Sequence, residues 1–87
     1  MMEVILSPKA FDQMERFLHS DEKLAQIIQS HINRLPLCYQ LDKQLRGQHV
    51  GRRSHRVGDY RILYTVEHGR LVITVIVIAH RRDVYDV

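Results

Sequence analysis

Arginine is the residue type in this sequence whose number and position point most clearly to chemistry. Segment 46–87 holds eight arginines, no lysine and four acids, so its net charge is +4, whereas segment 1–45 holds five Lys/Arg and six acids and carries −1. A guanidinium is permanently charged and can bind two phosphate oxygens at once. The asymmetry is typical of a protein that binds a polyanion such as nucleic acid, although a solvated basic face would give the same charge.

Two of these arginines occupy positions that require an explanation. Arg61 interrupts an otherwise apolar and aromatic strand-like run, and a charge there is unfavourable unless it is paired or faces a ligand. An ion pair with Asp59 or Asp83 is the alternative to a ligand-binding role. Arg81 directly follows a long apolar run, so it is expected at the end of a strand. His80 and Tyr85 lie nearby and could move a proton or stack on a base.

The remaining candidates for phosphate contacts are four further arginines, Arg46, Arg52, Arg53 and Arg56. If 49–57 is a strand, its side chains alternate between the two faces of a sheet. Arg52, Ser54 and Arg56 then point one way, and Arg53, His55 and Val57 point the other. Cations fixed on a sheet suit cleavage of an RNA phosphodiester without a metal, in which the 2′-hydroxyl attacks the adjacent phosphorus and charge builds on the phosphoryl oxygens. Proton relays for such a reaction are much less evident.

Other kinds of site have weaker support. The single cysteine, Cys38, lies between two apolar or aromatic residues, which favours a small buried role over a nucleophile and leaves no partner for a disulfide. The six histidines show no ligand spacing and have no companion cysteines, so neither a metal site nor a cofactor is predicted. His31 lies on a helical apolar stripe, and Tyr60 and Tyr64 share a strand face with Ile62; all are predicted to be core residues.

The elements that must position these residues follow the order β-α-α-β-β-β. After a short strand-like run, Ser7 and Pro8 are typical of a helix N-cap and first helical position. Ser20 is predicted to cap a second helix, and Pro36 is predicted to end it. Residues 37–48 are expected to form an irregular connection.

Three more strands are predicted, at 49–57, 60–66 and 71–79. The first two are joined by Gly58-Asp59 and the last two by 67–70, turns tight enough to make an antiparallel meander. The almost continuously apolar run 71–79 indicates a strand covered on both faces and central in the sheet. The first strand must then pair at a free edge, and 81–87 forms a short tail. The predicted fold class is α+β, a helical hairpin packed on one small sheet.

Length and composition restrict the setting. Eighty-seven residues allow one domain, 1–87. The longest apolar run is too short to span a bilayer, and the N-terminal sequence lacks the features of a signal peptide. The single cysteine suits a reducing compartment. A cytoplasmic protein that does not bind membranes is therefore predicted.

Three segments of the sequence resemble the RelE/ParE toxin superfamily of type II toxin–antitoxin systems, nearest to its RelE side. They are Leu45-Arg46-Gly47, Arg56-Val57-Gly58-Asp59-Tyr60-Arg61-Ile62-Leu63-Tyr64 and Ala79-His80-Arg81-Arg82-Asp83-Val84-Tyr85. The resemblance covers nearly the whole chain and implies the same β-α-α-β-β-β fold and an antitoxin that wraps the toxin. RelE-type members cut mRNA in the ribosomal A site, whereas ParE-type members poison DNA gyrase.

The resemblance also implies roles for single residues. Arg61 matches a phosphate-contacting strand arginine, and Arg81 matches an arginine that stabilises the transition state and assists the leaving group. Tyr85 lies near a tyrosine that stacks on or orients the substrate. Two basic positions that are lysine in the best-known RelE are Arg52 and Ser54 here.

The absence of these lysines leaves the general base of the reaction unassigned. Arg56 matches a further basic residue of the family, but it is also an arginine. Arginine is a poorer general base than lysine, so the base is His55 or His80, or the reaction depends on electrostatics and the ribosome. The predicted function is a ribosome-dependent mRNA endoribonuclease whose partners are a cognate antitoxin, mRNA and the ribosome. The alternatives are a ParE-like gyrase inhibitor that acts by binding, and an inactive protein that retains antitoxin binding.

Overall fold

The computed structural model of the protein describes residues 2–47 and 50–83. Its helices and strands, in chain order, are β1 (Glu3–Leu6), α1 (Pro8–Ser20), α2 (Glu22–Cys38), β2 (Lys43–Gln44), β3 (Arg53–Val57), β4 (Tyr60–Glu67) and β5 (Val72–His80), with a 3₁₀ turn at Tyr39–Leu41. The predicted order of elements is confirmed, with the two-residue strand β2 added. Within the described residues, no helix is both long enough and apolar enough to cross a membrane.

The strands form one mixed sheet in the order β1-β5-β4-β3-β2. β3, β4 and β5 are consecutive antiparallel neighbours, which confirms the predicted meander. β1 pairs in parallel with β5 at the edge, as expected. β5 thus lies between two strands, and most of its residues are buried, in agreement with its apolar sequence.

α1 begins where the sequence predicts and is tied to β5 by side chains. The Ser7 hydroxyl accepts from the Ala10 N–H at 3.0 Å and donates to the Ile76 carbonyl. The Gln13 amide donates to the Ile78 carbonyl at 2.7 Å, and its oxygen accepts from the Ile78 N–H at 2.8 Å. These contacts satisfy backbone groups of β5 beyond the point where β1 ends.

The predicted bounds of α2 are wrong at both ends. Its N-cap is Asp21, whose carboxylate accepts from the Leu24 N–H at 3.1 Å, while Ser20 closes α1 and donates to the Arg16 carbonyl. The helix also continues past Pro36. A proline is most disruptive in a helix interior; here it falls in the last turn.

The connection after α2 is more regular than expected. The 3₁₀ turn carries the chain to β2, which pairs with β3 through Lys43 opposite Ser54 and Gln44 opposite Arg53. The prediction of an irregular 37–48 segment was wrong for residues 37–44, because α2 extends to Cys38 and a two-residue strand is too short to show alternation, whereas Gln48 lies outside the described residues.

The two helices cover one face of the sheet only. The main core joins apolar residues of α1 and α2 to alternate residues of the strands, among them Val57, Ile62 and Tyr64. We call this the helix-covered face. The opposite side, the open face, has a separate small cluster of Leu63, Val77 and Ala79 that involves no helix residue.

Candidate nucleic-acid interface

Arg56 and Arg61 lie directly opposite each other on β3 and β4. The two-residue turn Gly58-Asp59 fixes this register, and Gly58 adopts the positive φ of 59° that such a turn needs. Both arginines point to the open face, because their neighbours Val57 and Ile62 belong to the helix-side core. Arg52 directly precedes β3, and its carbonyl accepts from the Leu45 N–H at 2.8 Å. The strand alternation therefore extends to Arg52 and places it on the same face as Ser54.

Two like charges in directly opposite strand positions destabilise a sheet. Within residues 2–47 and 50–83, no carboxylate lies within 4.0 Å of the guanidinium of Arg52, Arg56 or Arg61. The ion pair considered for Arg61 is therefore not formed with Asp59 or Asp83. The guanidinium of Arg56 does make one local contact, a 3.2 Å hydrogen bond from its Nε to the Gly58 carbonyl.

Ser54 lies between Arg52 and Arg56 on the open face. It is 6% exposed, and its hydroxyl has no hydrogen-bond partner among the described residues. A buried hydroxyl without a partner is unusual in folded proteins. The open face thus combines uncompensated positive charge with an unsatisfied polar group.

Arg81 follows β5 at the same end of the sheet as the β3–β4 turn. Its backbone N–H donates to the Asp59 carbonyl at 2.7 Å, which anchors the strand end to the turn. Its Nε lies 3.8 Å from Asp59 Oδ1, and both side chains are about two-thirds exposed. A contact that long and that exposed leaves the guanidinium available to a ligand.

The structure does not bring Arg53 to the open face. Its Nη1 donates to the carbonyls of Tyr39 and Asp42 at 3.2 and 3.1 Å, and its guanidinium lies 5.6 Å from the centre of the Tyr39 ring. These contacts hold the connection between α2 and β2. Arg46 is exposed in the loop after β2.

The two histidines considered as general bases lie on the other side of the sheet. His55 Nδ1 is 2.9 Å from Asp42 Oδ2, and His55 Nε2 is 3.0 Å from Nδ1 of His31 on α2. His80 meets the edge of Tyr60 at 5.3 Å between ring centres. Tyr60 in turn packs on Phe17 of α1, so both imidazoles belong to the helix-covered face. Tyr85, the predicted substrate-orienting residue, lies outside the described residues.

The two imidazoles are joined by hydrogen bonding to a partly buried carboxylate, that of Asp42. The Tyr64 hydroxyl, fully buried as predicted, donates to the Asp42 carboxylate. Burial and this hydrogen bond together raise the pKa of Tyr64. Burial, with smaller contributions from Arg34 and His55, lowers the pKa of His31. His31 is therefore a partly buried histidine, as its position on the apolar stripe predicts.

Asp42 is the residue of this region that sequence reasoning missed. It lies in a segment expected to be irregular, and its partners come from α2, β3 and β4. The predicted strand 49–57 is shorter than expected, because β3 begins at Arg53 and 50–51 form a turn, while His49 lies outside the described residues. The predicted alternation nevertheless correctly placed Arg53 and His55 on the face opposite Arg56. It did not indicate that both side chains would contact Asp42.

Solved structures show that the fold is shared with known toxins. A YoeB/ParE toxin from Agrobacterium tumefaciens aligns with a TM-score of 0.78 and 19% identity over 91% of this chain and 98% of that one. The YoeB–YefM complex from Staphylococcus aureus aligns with a TM-score of 0.74 and 20% identity over 92% and 97%. The RelBE2 toxin–antitoxin complex from Mycobacterium tuberculosis aligns at 0.67 with 28% identity over 94% and 93%.

The family assignment comes from the sequence itself. The profile of the ParE toxin of type II toxin–antitoxin systems, parDE, matches residues 4–85. No curated protein sequence gives a significant match. Because the profile spans nearly the whole chain, the protein belongs to this toxin family, within the RelE/ParE superfamily that the sequence motifs resemble.

Proposed function

We propose that this toxin is a ribosome-dependent endoribonuclease that cleaves mRNA in the A site by attack of the 2′-hydroxyl on the adjacent phosphorus. The observation that carries the proposal is the opposed pair Arg56 and Arg61 on the open face, with Arg52 beside it. An RNA phosphate would neutralise the repulsion between these guanidiniums, so its binding is favoured by the same geometry that destabilises the free protein.

In this proposal each arginine acts on phosphate charge. Arg61, fixed in a strand interior, contacts the phosphate that is attacked, and Arg52 and Arg56 contact the RNA backbone beside it. Arg81, at the end of β5, stabilises the transition state and the leaving 5′-oxygen. A rigid sheet holds such cations in place without reorganisation during the reaction, which is the main requirement for electrostatic catalysis.

The positions of His55 and His80 support dependence on the ribosome. Both lie on the helix-covered face, away from Arg61, so the arginines of the open face have neither of these histidines as a proton acceptor. An enzyme that supplies mainly charge gains most when its substrate is already aligned for attack. Decoding in the A site would provide that alignment. Tyr85 remains a proposed contributor to substrate stacking.

We also propose that a cognate antitoxin binds this chain and keeps it inactive in the cytoplasm, where ribosomes are found. The Staphylococcus aureus and Mycobacterium tuberculosis neighbours are themselves toxin–antitoxin complexes. An antitoxin that covers the open face with acidic residues would compensate the arginines in the resting complex.

The proposal is tested by adding purified toxin to ribosomes programmed with a defined mRNA and locating the new 5′ ends. We expect cuts in the A-site codon and none in the same mRNA without ribosomes. Arg61→Ala and Arg81→Ala should each lower the cleavage rate by about 10²–10³. Arg70→Ala is the matched control, because Arg70 is exposed and paired with Glu67 in the β4–β5 turn. Equal cleavage by Arg61→Ala, Arg81→Ala and the parent would contradict the assigned roles.

A second candidate is inhibition of DNA gyrase by binding, which the match to the ParE profile favours. The separation of His55 and His80 from the arginine pair fits a protein that binds without catalysis. A supercoiling assay separates the two functions. Inhibition of gyrase by toxin that leaves programmed mRNA intact would establish the second candidate and exclude the first.

A further inference from the structure

Three residues with metal-binding side chains meet on the helix-covered face, where the sequence indicated no metal site. Cys38 ends α2, Asp42 directly precedes β2, and His55 lies at the centre of β3. One ligand atom from each lies within 4.8 Å of the other two. The side chains of His55 and Asp42 are 16% and 14% exposed, so the cluster is enclosed but retains a path to solvent.

We propose that Cys38, Asp42 and His55 bind one divalent transition-metal ion of the Zn²⁺ type. A thiolate, an imidazole and a carboxylate are the three protein donors that Zn²⁺ accepts, whereas Mg²⁺ and Ca²⁺ take oxygen ligands. Three protein ligands leave one tetrahedral position for water. The ion would lie on the face opposite Arg52, Arg56 and Arg61, so the proposed site is separate from the RNA-cleaving groups.

The spacing fits after a small adjustment. Zinc bonds of roughly 2.0–2.3 Å place tetrahedral ligand atoms about 3.3–3.8 Å apart. His55 Nδ1 and Asp42 Oδ2 are 2.9 Å apart and must separate slightly, while atoms as far as 4.8 Å apart must approach. Cys38 is the last residue of α2, where its side chain can rotate without disturbing the helix interior.

The surroundings already orient the proposed ligands. His55 Nε2 lies 3.0 Å from His31 Nδ1, so a metal on His55 Nδ1 leaves the Nε2 proton to be donated to His31. The Tyr64 hydroxyl donates to the Asp42 carboxylate, and Arg53 Nη1 donates to the Asp42 carbonyl. Hydrogen bonds of this kind fix the ring and carboxylate orientations of metal ligands.

The first experiment measures metal binding by the intact chain. Chelator-treated toxin is titrated with Zn²⁺ by calorimetry and with Co²⁺ by absorption spectroscopy. We expect one ion per chain, and a thiolate-to-cobalt charge-transfer band that disappears in Cys38→Ser. The Zn²⁺ affinity of Cys38→Ser should fall at least about tenfold. His19→Gln, which removes an exposed histidine of α1, is the matched control and should bind like the parent.

A second measurement avoids any change in sequence. Alkylation of Cys38 by iodoacetamide should slow at least about tenfold when Zn²⁺ is present, and recover when the ion is chelated. An unchanged alkylation rate, or Zn²⁺ affinity equal in Cys38→Ser and the parent, would overturn the proposal. Either result would leave the proposed RNA cleavage untouched, because no arginine of the open face takes part in the metal site.

Discussion

Arg56 and Arg61 form a pair that is expected to lower the stability of the free protein and is proposed to bind phosphate. Their guanidiniums occupy opposite positions on two neighbouring strands, an arrangement that destabilises a sheet when no anion lies between them. If the pair serves to bind phosphate, removing one member should harm function and help the free fold. A pair kept for folding would show the reverse.

Arg56→Thr is therefore expected to raise the free energy of unfolding at low salt. Loss of the repulsion, together with a β-branched residue suited to a strand, should contribute about 0.2–1 kcal/mol. The gain should shrink as salt screens the charges. Urea unfolding at two ionic strengths measures this, with Arg70→Thr as the control. A lower stability than the parent at both ionic strengths would show that Arg56 supports the fold instead.

Arg53 and its neighbour Arg52 are expected to have different roles, Arg53 in stabilising the fold and Arg52 in binding RNA. Arg53→Ala removes two hydrogen bonds to the carbonyls of Tyr39 and Asp42 and the contact with the Tyr39 ring. It should lower the free energy of unfolding by about 1–3 kcal/mol. Arg52→Ala should change stability by under about 0.5 kcal/mol and weaken RNA binding. Equal stability of the two variants would contradict the division between the faces.

At the level of elements, α1 acts as a cap for β5 where β1 stops. Gln13 alone satisfies both backbone groups of Ile78, and Ser7 reaches the carbonyl of Ile76. Arg81 follows this same stretch of β5. The attachment of α1 therefore contributes to the position of a proposed catalytic arginine.

Gln13→Ala should lower the free energy of unfolding by about 1–3 kcal/mol, because it leaves a partly buried N–H and carbonyl of Ile78 without partners. Gln26→Ala is the control, since Gln26 is exposed on α2 and its amide makes a weak 3.4 Å hydrogen bond to the Glu22 carboxylate. Thermal unfolding of the two variants provides the comparison. If both lose the same amount, the Gln13 bridge does not stabilise β5.

The elements also show where sequence reasoning succeeds. Local signals sufficed for the Ser7 cap and for the meander, since tight turns between consecutive strands make those strands antiparallel neighbours. They failed at Pro36, because the penalty for proline depends on its place in the helix. They failed again at Asp42, whose partners Cys38, His55 and Tyr64 converge only through tertiary packing.

At the scale of the whole molecule, positive charge is concentrated on the sheet face that no helix covers. The helices cover one side of the sheet, and three arginines of segment 46–87, Arg52, Arg56 and Arg61, lie on the side without helices. Three guanidiniums that each meet one phosphate of single-stranded RNA would release counterions on binding. Affinity for RNA should therefore depend steeply on salt.

We expect log K for an RNA oligonucleotide to fall with log salt concentration with a slope of about −2, from roughly −0.7 per phosphate contact. Arg52→Ala should reduce the magnitude of the slope by about 0.7. Fluorescence anisotropy over a range of salt concentrations measures both quantities. An unchanged slope in Arg52→Ala would show that this arginine does not contact phosphate.

The central claim is that the open-face arginines cut mRNA on the ribosome. Its most direct test is overexpression of the toxin followed by mapping of mRNA 5′ ends across the transcriptome. We predict new ends within translated codons, absent from untranslated RNA and absent when Arg61→Ala replaces the parent at equal protein level. New 5′ ends that persist in Arg61→Ala, or no new ends in cells that the parent toxin arrests, would contradict it.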